Sequence, residues 1–325
     1  STGLPTGTTA GTAPFLHVRH AAVMDTINEG RPFRTADSTS LGLPRHQVRD
    51  LVRTHRLRRV FRGVLVDAAV ADTRELRVAA LALVIPEGAT ISDHSAAWVY
   101  GVDTYPPGAM REMRPMCVVR HGFGRPKGLR AVVRQTTMPD PDFVIIGTVK
   151  VTSPTRTVSD LLRLAWRPHA LAAADALVRA GVATRLEVME HVAALRRLPG
   201  TKQAQELAPL IDPRAQTAGE SWMRLRLIDA GLPIPDVDHR ILHRGREYWL
   251  DSAYVAQRVA VEYDGREVHS DANDRAHDDG RRGKLTDELA WRFVVATFER
   301  VFGVDDSFER EVGKFLGLPV RPRTW

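Results

Sequence analysis

Three carboxylates near the ends of two apolar segments are the residues of this chain best suited to chemistry. Asp251 follows Tyr248-Trp-Leu, and Glu262 and Asp264 lie in the next apolar segment, just before Gly265. Side chains alternate across a strand, so Glu262 and Asp264 share one face. If the two segments pair, Asp251 meets both acids in a small volume. Clustered carboxylates repel one another, and a divalent cation makes such a cluster tolerable. The spacing therefore indicates a magnesium site.

A second interpretation treats these acids as the solvated ends of a hairpin. Asp264-Gly265 is a common turn pair, and short acidic patterns recur by chance. The order of the neighbouring elements favours the metal site. A helix over about 217–230 carries Glu220 and precedes the strands. A basic helix over about 274–289 and a strand over about 291–296 follow them.

The segment 212–318 resembles the very-short-patch-repair-like branch of the PD-(D/E)xK nuclease superfamily. That family has an acid on its first helix, an Asp on its second strand and a Glu-x-Asp-Gly motif on its third. A downstream His and an Asp/Arg-rich helix before an Ala/Gly-Trp-Arg strand complete the pattern. The matching residues here are Glu220, Asp251, Glu262, Asp264, Gly265, His269, Asp278, Asp279, Arg281, Arg282 and Ala290-Trp291-Arg292.

The resemblance implies a restriction-endonuclease-like α/β domain with an Mg²⁺ (or Mn²⁺) ion. Asp251, Glu262 and the backbone carbonyl of Tyr263 would hold the ion, and Glu220 would complete its shell through water. Such an ion lowers the pKa of a bound water and neutralises charge on a phosphodiester. His269 is a candidate general acid or base because histidine titrates near neutral pH. A surface-loop histidine is the alternative interpretation of His269.

One departure from the superfamily concerns the positive charge at the site. The superfamily usually has a lysine two residues after the strand acid, and this chain has Asp264 there. The related branch often carries an acid at this position. The cation would then come from the following helix, where Arg281, Arg282 and Lys284 are the candidates.

Arginines near the amino terminus form a second cluster that could bind a ligand. Asp50 is the one acid between positions 45 and 62, and the arginines there are Arg45, Arg49, Arg53, Arg56, Arg58, Arg59 and Arg62. Pro44 suits the first turn of a helix, and Val48 starts an apolar face at helical spacing. Arg45, Arg49 and Arg53 fall on another face of this helix.

The elements around this helix predict a DNA-binding arrangement. A short helix is expected over about 35–42, and two short strands should meet near Gly63. Helix, turn, helix and β-ribbon make a winged helix, whose second helix enters the major groove and whose ribbon contacts the backbone or minor groove. Arg58, Arg59 and Arg62 would contribute from the ribbon. A solvated basic helix on a globular domain is the alternative.

This order of elements resembles the winged-helix domain of the AbiEi family of type IV antitoxins. The segments Ile-Ser-Asp-His-Ser-Ala-Ala-Trp from position 91 and Val-Thr-Ser-Pro-Thr-Arg from position 151 continue the resemblance. It implies a transcriptional repressor that binds DNA at its own promoter, with a cognate toxin or a second copy of itself as a further partner. Adjacent helical residues point about 100° apart, so His94 and Ser95 are not a nucleophile and its base. Arg156 and Asp160 have the spacing of a structural pair.

Composition bounds these interpretations. A chain of 325 residues is long enough for two or three domains, and its net charge of +7 indicates a polyanionic partner. Double-stranded DNA is the expected partner, with a membrane surface as the rival. No apolar run is long enough to span a bilayer, so a soluble, cytoplasmic protein is expected. The single cysteine, Cys117, excludes an intrachain disulfide and should be a buried strand thiol.

The expected fold is a multidomain α+β protein. A disordered tail over 1–23 should precede a winged helix-turn-helix over 24–72, a small α+β domain with a helical linker over 73–211 and the nuclease-like domain over 212–325. The main functional hypothesis is a DNA-directed, Mg²⁺-dependent endonuclease, because a decayed site has no physical reason to keep mutually repelling acids. The alternative is a non-catalytic, antitoxin-like repressor, which the missing strand lysine favours.

Overall fold

The computed structural model describes residues 30–105, 114–123, 131–265, 272–323 and 325, and only the backbone of 272–279. The predicted tail over 1–23 and His269 lie outside the described residues. The chain is a mixed α+β protein that divides into two compact units, Ser1–Thr152 and Ser153–Trp325. The predicted domain boundaries near 72 and 211 fall inside these units and stay predictions.

The first unit begins with a small helix-and-ribbon structure. β1 (Phe33–Arg34), β2 (Leu57–Phe61) and β3 (Val64–Asp67) form an antiparallel sheet in the order β1-β3-β2. α1 (Arg45–Arg53) packs beside them, because Val48 enters a core with Phe33, Leu43, Leu57 and Leu65. The turn between β2 and β3 contains Gly63 at a φ of 90°, a conformation that favours glycine. The predicted second helix and β-ribbon are thus present.

The prediction of a helix over 35–42 is wrong. The segment forms one 3-10 turn, Thr35–Asp37, and then hydrogen-bonded turns that end at Gly42. The backbone N–H of Thr35 donates to the Gly63 carbonyl, which ties this segment to the ribbon. The hydroxyl of Ser40 donates to the Asp37 carbonyl. Gly42 has a φ of 89°, and the Leu43 N–H donates to the Ser38 carbonyl, a pattern that ends helical turns and keeps this segment short.

The rest of the first unit is a five-stranded sheet in the order β6-β5-β4-β8-β7. Its elements are α2 (Arg74–Ala82), β4 (Thr90–Ile91), α3 (Asp93–Val99), β5 (Met116–Val119), β6 (Val132–Gln135), β7 (Phe143–Ile146) and β8 (Val149–Thr152). The β4–β8 and β5–β6 pairs are parallel, and the other pairs are antiparallel. One core joins Ile91 and Val151 to Leu81 and Trp98 on the helices. Cys117 is buried as predicted.

The second unit opens with helices. They are α4 (Pro154–Leu164), α5 (Arg167–Arg179), α6 (Arg185–Ala194) and α7 (Thr201–Leu207). The predicted structural pair is confirmed, because Nε of Arg156 lies 2.9 Å from Oδ1 of Asp160 and both side chains are buried. Arg163 donates to the same carboxylate at 2.7 Å.

A second sheet and its helices complete this unit. The elements are α8 (Ala218–Asp229), β9 (Asp236–His243), β10 (Arg246–Tyr254), β11 (Val259–Asp264), α9 (Ala272–Leu289), β12 (Arg292–Thr297), α10 (Phe298–Phe302) and α11 (Ser307–Leu316). The strand order is β12-β11-β10-β9, with β11 and β12 parallel. Met223 of α8 packs with Val261 and Val294, and Leu285 of α9 packs with Ala260. The predicted order of elements is present, and the nuclease fold stays a prediction. Across the described parts of the chain, every helix is too short or too polar to cross a membrane.

Candidate functional site

The arginines of α1 lie on its solvent side. Val48 is buried against the ribbon, whereas Arg45, Arg49 and Arg53 are exposed one helical turn apart. Three further exposed arginines follow this helix, at Arg56, Arg59 and Arg62. We call these six residues the arginine face: Arg45, Arg49, Arg53, Arg56, Arg59 and Arg62.

The arginine face is almost without counter-charge. Among the residues that the structure describes, its one ion pair joins Arg53 Nη2 to Asp50 Oδ1 at 3.5 Å, with 76% and 63% of the two side chains exposed. The other five arginines form no ion pair with any residue that the structure describes. An exposed pair of this kind contributes little stability. The face therefore presents a local positive potential suited to a polyanion.

Arg58 differs from its neighbours. Its side chain is partly buried, and Nη2 donates to the Val70 carbonyl at 2.9 Å. This hydrogen bond fastens the chain after β3 to the ribbon. Arg58 was predicted as a DNA ligand, and the structure gives it a contact that supports the fold.

The carboxylates of the second unit meet where β10 and β11 diverge. The two strands pair from Tyr254 with Val259 to Ser252 with Val261. One position beyond this last pair, Asp251 lies opposite Glu262. Asp251 Oδ2 accepts a hydrogen bond from the backbone N–H of Tyr263 at 2.8 Å. The side chain of Asp251 thus substitutes for the next backbone acceptor. The pairing that the sequence suggested does bring Asp251 beside Glu262.

Two arginines of α9 neutralise Glu262. Nη2 of Arg281 lies 2.7 Å from both carboxylate oxygens of Glu262, and Nε of Arg282 lies 2.7 Å from Oε2. The Glu262 side chain is 4% exposed, so these charges compensate a buried anion. Arg281 Nη1 also donates to the Trp249 carbonyl at 2.9 Å. Lys284, the third predicted cation, is exposed on the same helix.

The Glu220 carboxylate accepts hydrogen bonds at the start of α8. Its Oε2 accepts from the backbone N–H of Gln216 at 2.8 Å, and its Oε1 accepts from Thr217 Oγ1 at 2.9 Å. Thr217 in turn caps the helix by accepting from the Glu220 N–H. This reciprocal pattern satisfies backbone donors at a helix start.

The environment of Asp251 nevertheless changes its pKa. Burial is the main reason that the pKa of Asp251 rises to about 7, and the charges of Glu220 and Glu262 add to the rise. The Tyr263 N–H and Arg281 oppose it. An acid with such a pKa is protonated in much of the neutral range, so Asp251 can act as a proton donor or acceptor there.

The geometry does not fit a divalent cation as it stands. Among the described residues, no three His, Cys, Asp or Glu side chains are grouped to hold a metal ion. Mg²⁺ requires oxygen ligands at about 2.1 Å, and both Glu262 oxygens accept from arginines instead. Asp264 ends β11 opposite Thr297, and Tyr263 pairs with Ala296. The side chains of Asp278 and Asp279 lie outside the described residues.

Sequence reasoning missed that Arg281 and Arg282 are the partners of Glu262. They were predicted to supply the positive charge of the absent strand lysine. The available signal was the adjacent pair of arginines on a helix after an acidic strand. His94 and Ser95 are structural as expected, because His94 Nδ1 lies 2.8 Å from Thr104 Oγ1 and Ser95 Oγ accepts from the Met116 N–H at 2.9 Å.

Comparisons with known proteins find a matching family model and similar bacterial proteins. Residues 89–212 match the family model described as the AbiEi antitoxin C-terminal domain. The chain is also similar to the uncharacterized proteins MT2308 and Rv2248, which come from two strains of Mycobacterium tuberculosis. Each is 33% identical over 280 residues, covering 86% of this chain and 97% of the relative.

Proposed function

This chain belongs to the family of the two Mycobacterium tuberculosis proteins, and on that premise we propose that it is an antitoxin-like regulator that binds double-stranded DNA. The match of residues 89–212 to an antitoxin domain supports the regulatory part of the proposal. As a transcriptional repressor it would act on a promoter of its own operon. Its further partner would be a cognate toxin or a second copy of itself.

The observation that carries the DNA-binding part is the arginine face. Arginine pairs with phosphate through two parallel hydrogen bonds, and exposed arginines without carboxylate partners are free to do so. α1 has its apolar side in the core and its charged side in solvent, as a groove-binding helix requires. The ribbon between Leu57 and Asp67 adds Arg59 and Arg62. We infer that α1 enters the major groove and the ribbon contacts the backbone.

A reporter assay tests this proposal. The chain is expressed beside a reporter driven by its own upstream region, and repression is compared with a triple alanine variant at Arg45, Arg49 and Arg53. The variant should lose repression. The matched control is a triple alanine variant at Arg244, Arg246 and Arg310, which removes the same charge from exposed positions of the second unit. Equal repression by the first variant and the wild type would contradict the proposal.

Metal-dependent phosphodiester hydrolysis is the second candidate function. The specific observation in its favour is the proximity of Glu220 and Glu262 to Asp251, because their charges add to the rise that burial causes in the pKa of Asp251. Activity would require Arg281 and Arg282 to release the Glu262 carboxylate. Both Glu262 oxygens accept hydrogen bonds from Arg281, so the candidate rests on the residue types and their proximity.

A cleavage assay decides between the two candidates. Supercoiled plasmid, single-stranded DNA and RNA are incubated with the full chain and Mg²⁺ or Mn²⁺, beside an EDTA control. A nuclease should cut in a metal-dependent manner, and Glu262→Gln should abolish cutting while DNA binding persists. A lost ligand costs several kcal/mol of transition-state stabilisation, and each 1.36 kcal/mol is about tenfold in rate. Tight binding of promoter DNA without any cutting supports the regulator alone.

A further inference from the structure

A cavity of about 230 Å³ lies on one face of the five-stranded sheet in the first unit. Thr90 of β4 is paired with Val118 of β5 on one side and Lys150 of β8 on the other. Paired residues of neighbouring strands point to the same face, so these three side chains form one row across the sheet. Ile91 and Val151, one position along, enter the core on the opposite face. The row forms part of the cavity lining.

The charged residues among the described lining of this cavity are both cations. Arg120 and Lys150 line it, and no carboxylate occurs among its described lining residues. Neither cation forms an ion pair within the described parts of the chain. Lys150 Nζ lies 4.3 Å from the ring centroid of Phe143, a contact that holds the ammonium over an apolar surface. Thr90 adds a hydroxyl group that can donate a hydrogen bond to an anion, whereas the Thr136 hydroxyl donates to the Thr137 carbonyl at 3.4 Å.

The remaining walls are apolar and partly aromatic. Val119, Phe123, Met138 and Phe143 line the cavity beside the two cations. Small-molecule sites combine such an apolar lining with a few polar groups that fix orientation. A protein cavity of about 150 Å³ accommodates benzene. A cavity of about 230 Å³ therefore has room for one ring and an attached anionic group.

We propose that this cavity binds a small organic anion, in which a phosphate or carboxylate is carried by one flat ring. The anion contacts Lys150 and Arg120, the hydroxyl of Thr90 fixes its orientation, and the ring lies against Phe123 and Val118. This goes beyond the proposed DNA-binding role, which rests on the arginine face. Through a ligand bound here, the antitoxin-like domain would respond to a small molecule separately from DNA.

Binding of fluorinated probes to the full chain tests the proposal. Fluorine NMR follows 4-fluorophenyl phosphate and 4-fluorobenzoate, with 4-fluorobenzyl alcohol as the neutral analogue. At least one anionic probe should bind saturably, and the neutral analogue should not. Lys150→Met should weaken binding about tenfold or more, as expected for loss of a charge-assisted contact, whereas Lys150→Arg should retain it. Lys202→Met is the matched control, because Lys202 is exposed on α7 in the other unit.

Equal binding of the neutral analogue would overturn the assignment, and so would unchanged binding by Lys150→Met in a folded chain. The absence of saturation by any probe at about 10 mM would also overturn it, because that concentration is well above the affinity range of efficient small ligands. A further arm adds non-specific duplex DNA. Displacement of the bound probe by that duplex would reassign the cavity to the DNA backbone and overturn a separate small-molecule site. Retained binding in the presence of duplex supports it, whatever the arginine-face variants do to DNA affinity.

Discussion

The salt dependence of DNA binding gives the sharpest test of the arginine face. Each protein–phosphate contact releases condensed counterions, so the logarithm of the binding constant falls with the logarithm of salt concentration by about 0.9 per contact. The face has six exposed arginines. If each contacts one phosphate, the slope should be about −5, and affinity should fall roughly a thousandfold between about 50 and 200 mM salt.

Removing three of these charges should change the slope by a predictable amount. Alanine at Arg45, Arg49 and Arg53 deletes the contacts of α1 and leaves those of the ribbon. The slope should flatten by about 2.7, so the variant should lose only about 40-fold in affinity over the same salt range. The buried side of α1, centred on Val48, is untouched by these changes. The helix should therefore stay folded.

Fluorescence anisotropy with a labelled duplex measures these slopes. Dissociation constants are determined at four salt concentrations for the wild type, the α1 variant and the control variant at Arg244, Arg246 and Arg310. The control should keep the wild-type slope. Identical slopes for the wild type and the α1 variant would refute the assignment of α1 to the groove. Equal flattening in both variants would show that only net charge matters.

Three further predictions concern the stability and reactivity of the chain. Glu309→Gln should cost roughly 3–5 kcal/mol in denaturant unfolding, because Glu309 and Arg226 form an ion pair with both side chains fully buried. Glu311→Gln should cost about 1 kcal/mol or less, because the Glu311 side chain is 41% exposed in its pair with Arg300. Burial raises the pKa of Asp251 to about 7 from 3.8, so the stability gained from its proton is complete below 3.8 and is lost as pH rises through 7. Asp251→Asn should then raise the thermal midpoint by a few degrees at about pH 8.5 and much less at about pH 4.5, and an equal rise at both values would contradict the raised pKa. Burial raises the pKa of the Cys117 thiol to about 11, so an aromatic disulfide reagent at pH 8 should modify it only after denaturation.

Periodicity and element order were readable from the sequence. Val48 at helical spacing, with Arg45 and Arg49 on another face, determined which side of α1 meets solvent. The alternation within β11 placed Glu262 and Asp264 together, and the order from α8 to β12 followed from local patterns. These features depend on neighbours within a few residues, so they need no knowledge of long-range packing. The prediction of a helix over 35–42 was wrong because the turns there end at Gly42, whose φ is 89°, with the Leu43 N–H bonded to the Ser38 carbonyl.

Only the tertiary structure decided what the charged residues contact. The packing of α9 against the sheet brings Arg281 and Arg282 to Glu262, 19 and 20 residues away, so two residues predicted as cations for the reaction are the partners of a buried acid. The tertiary structure also decided which residues line the cavity of the first unit, because Val118 and Lys150 come from different strands on either side of β4. Local patterns set where a side chain points along its own element. The element that packs against it, which decides whether its charge is free for a ligand, depends on contacts between distant segments.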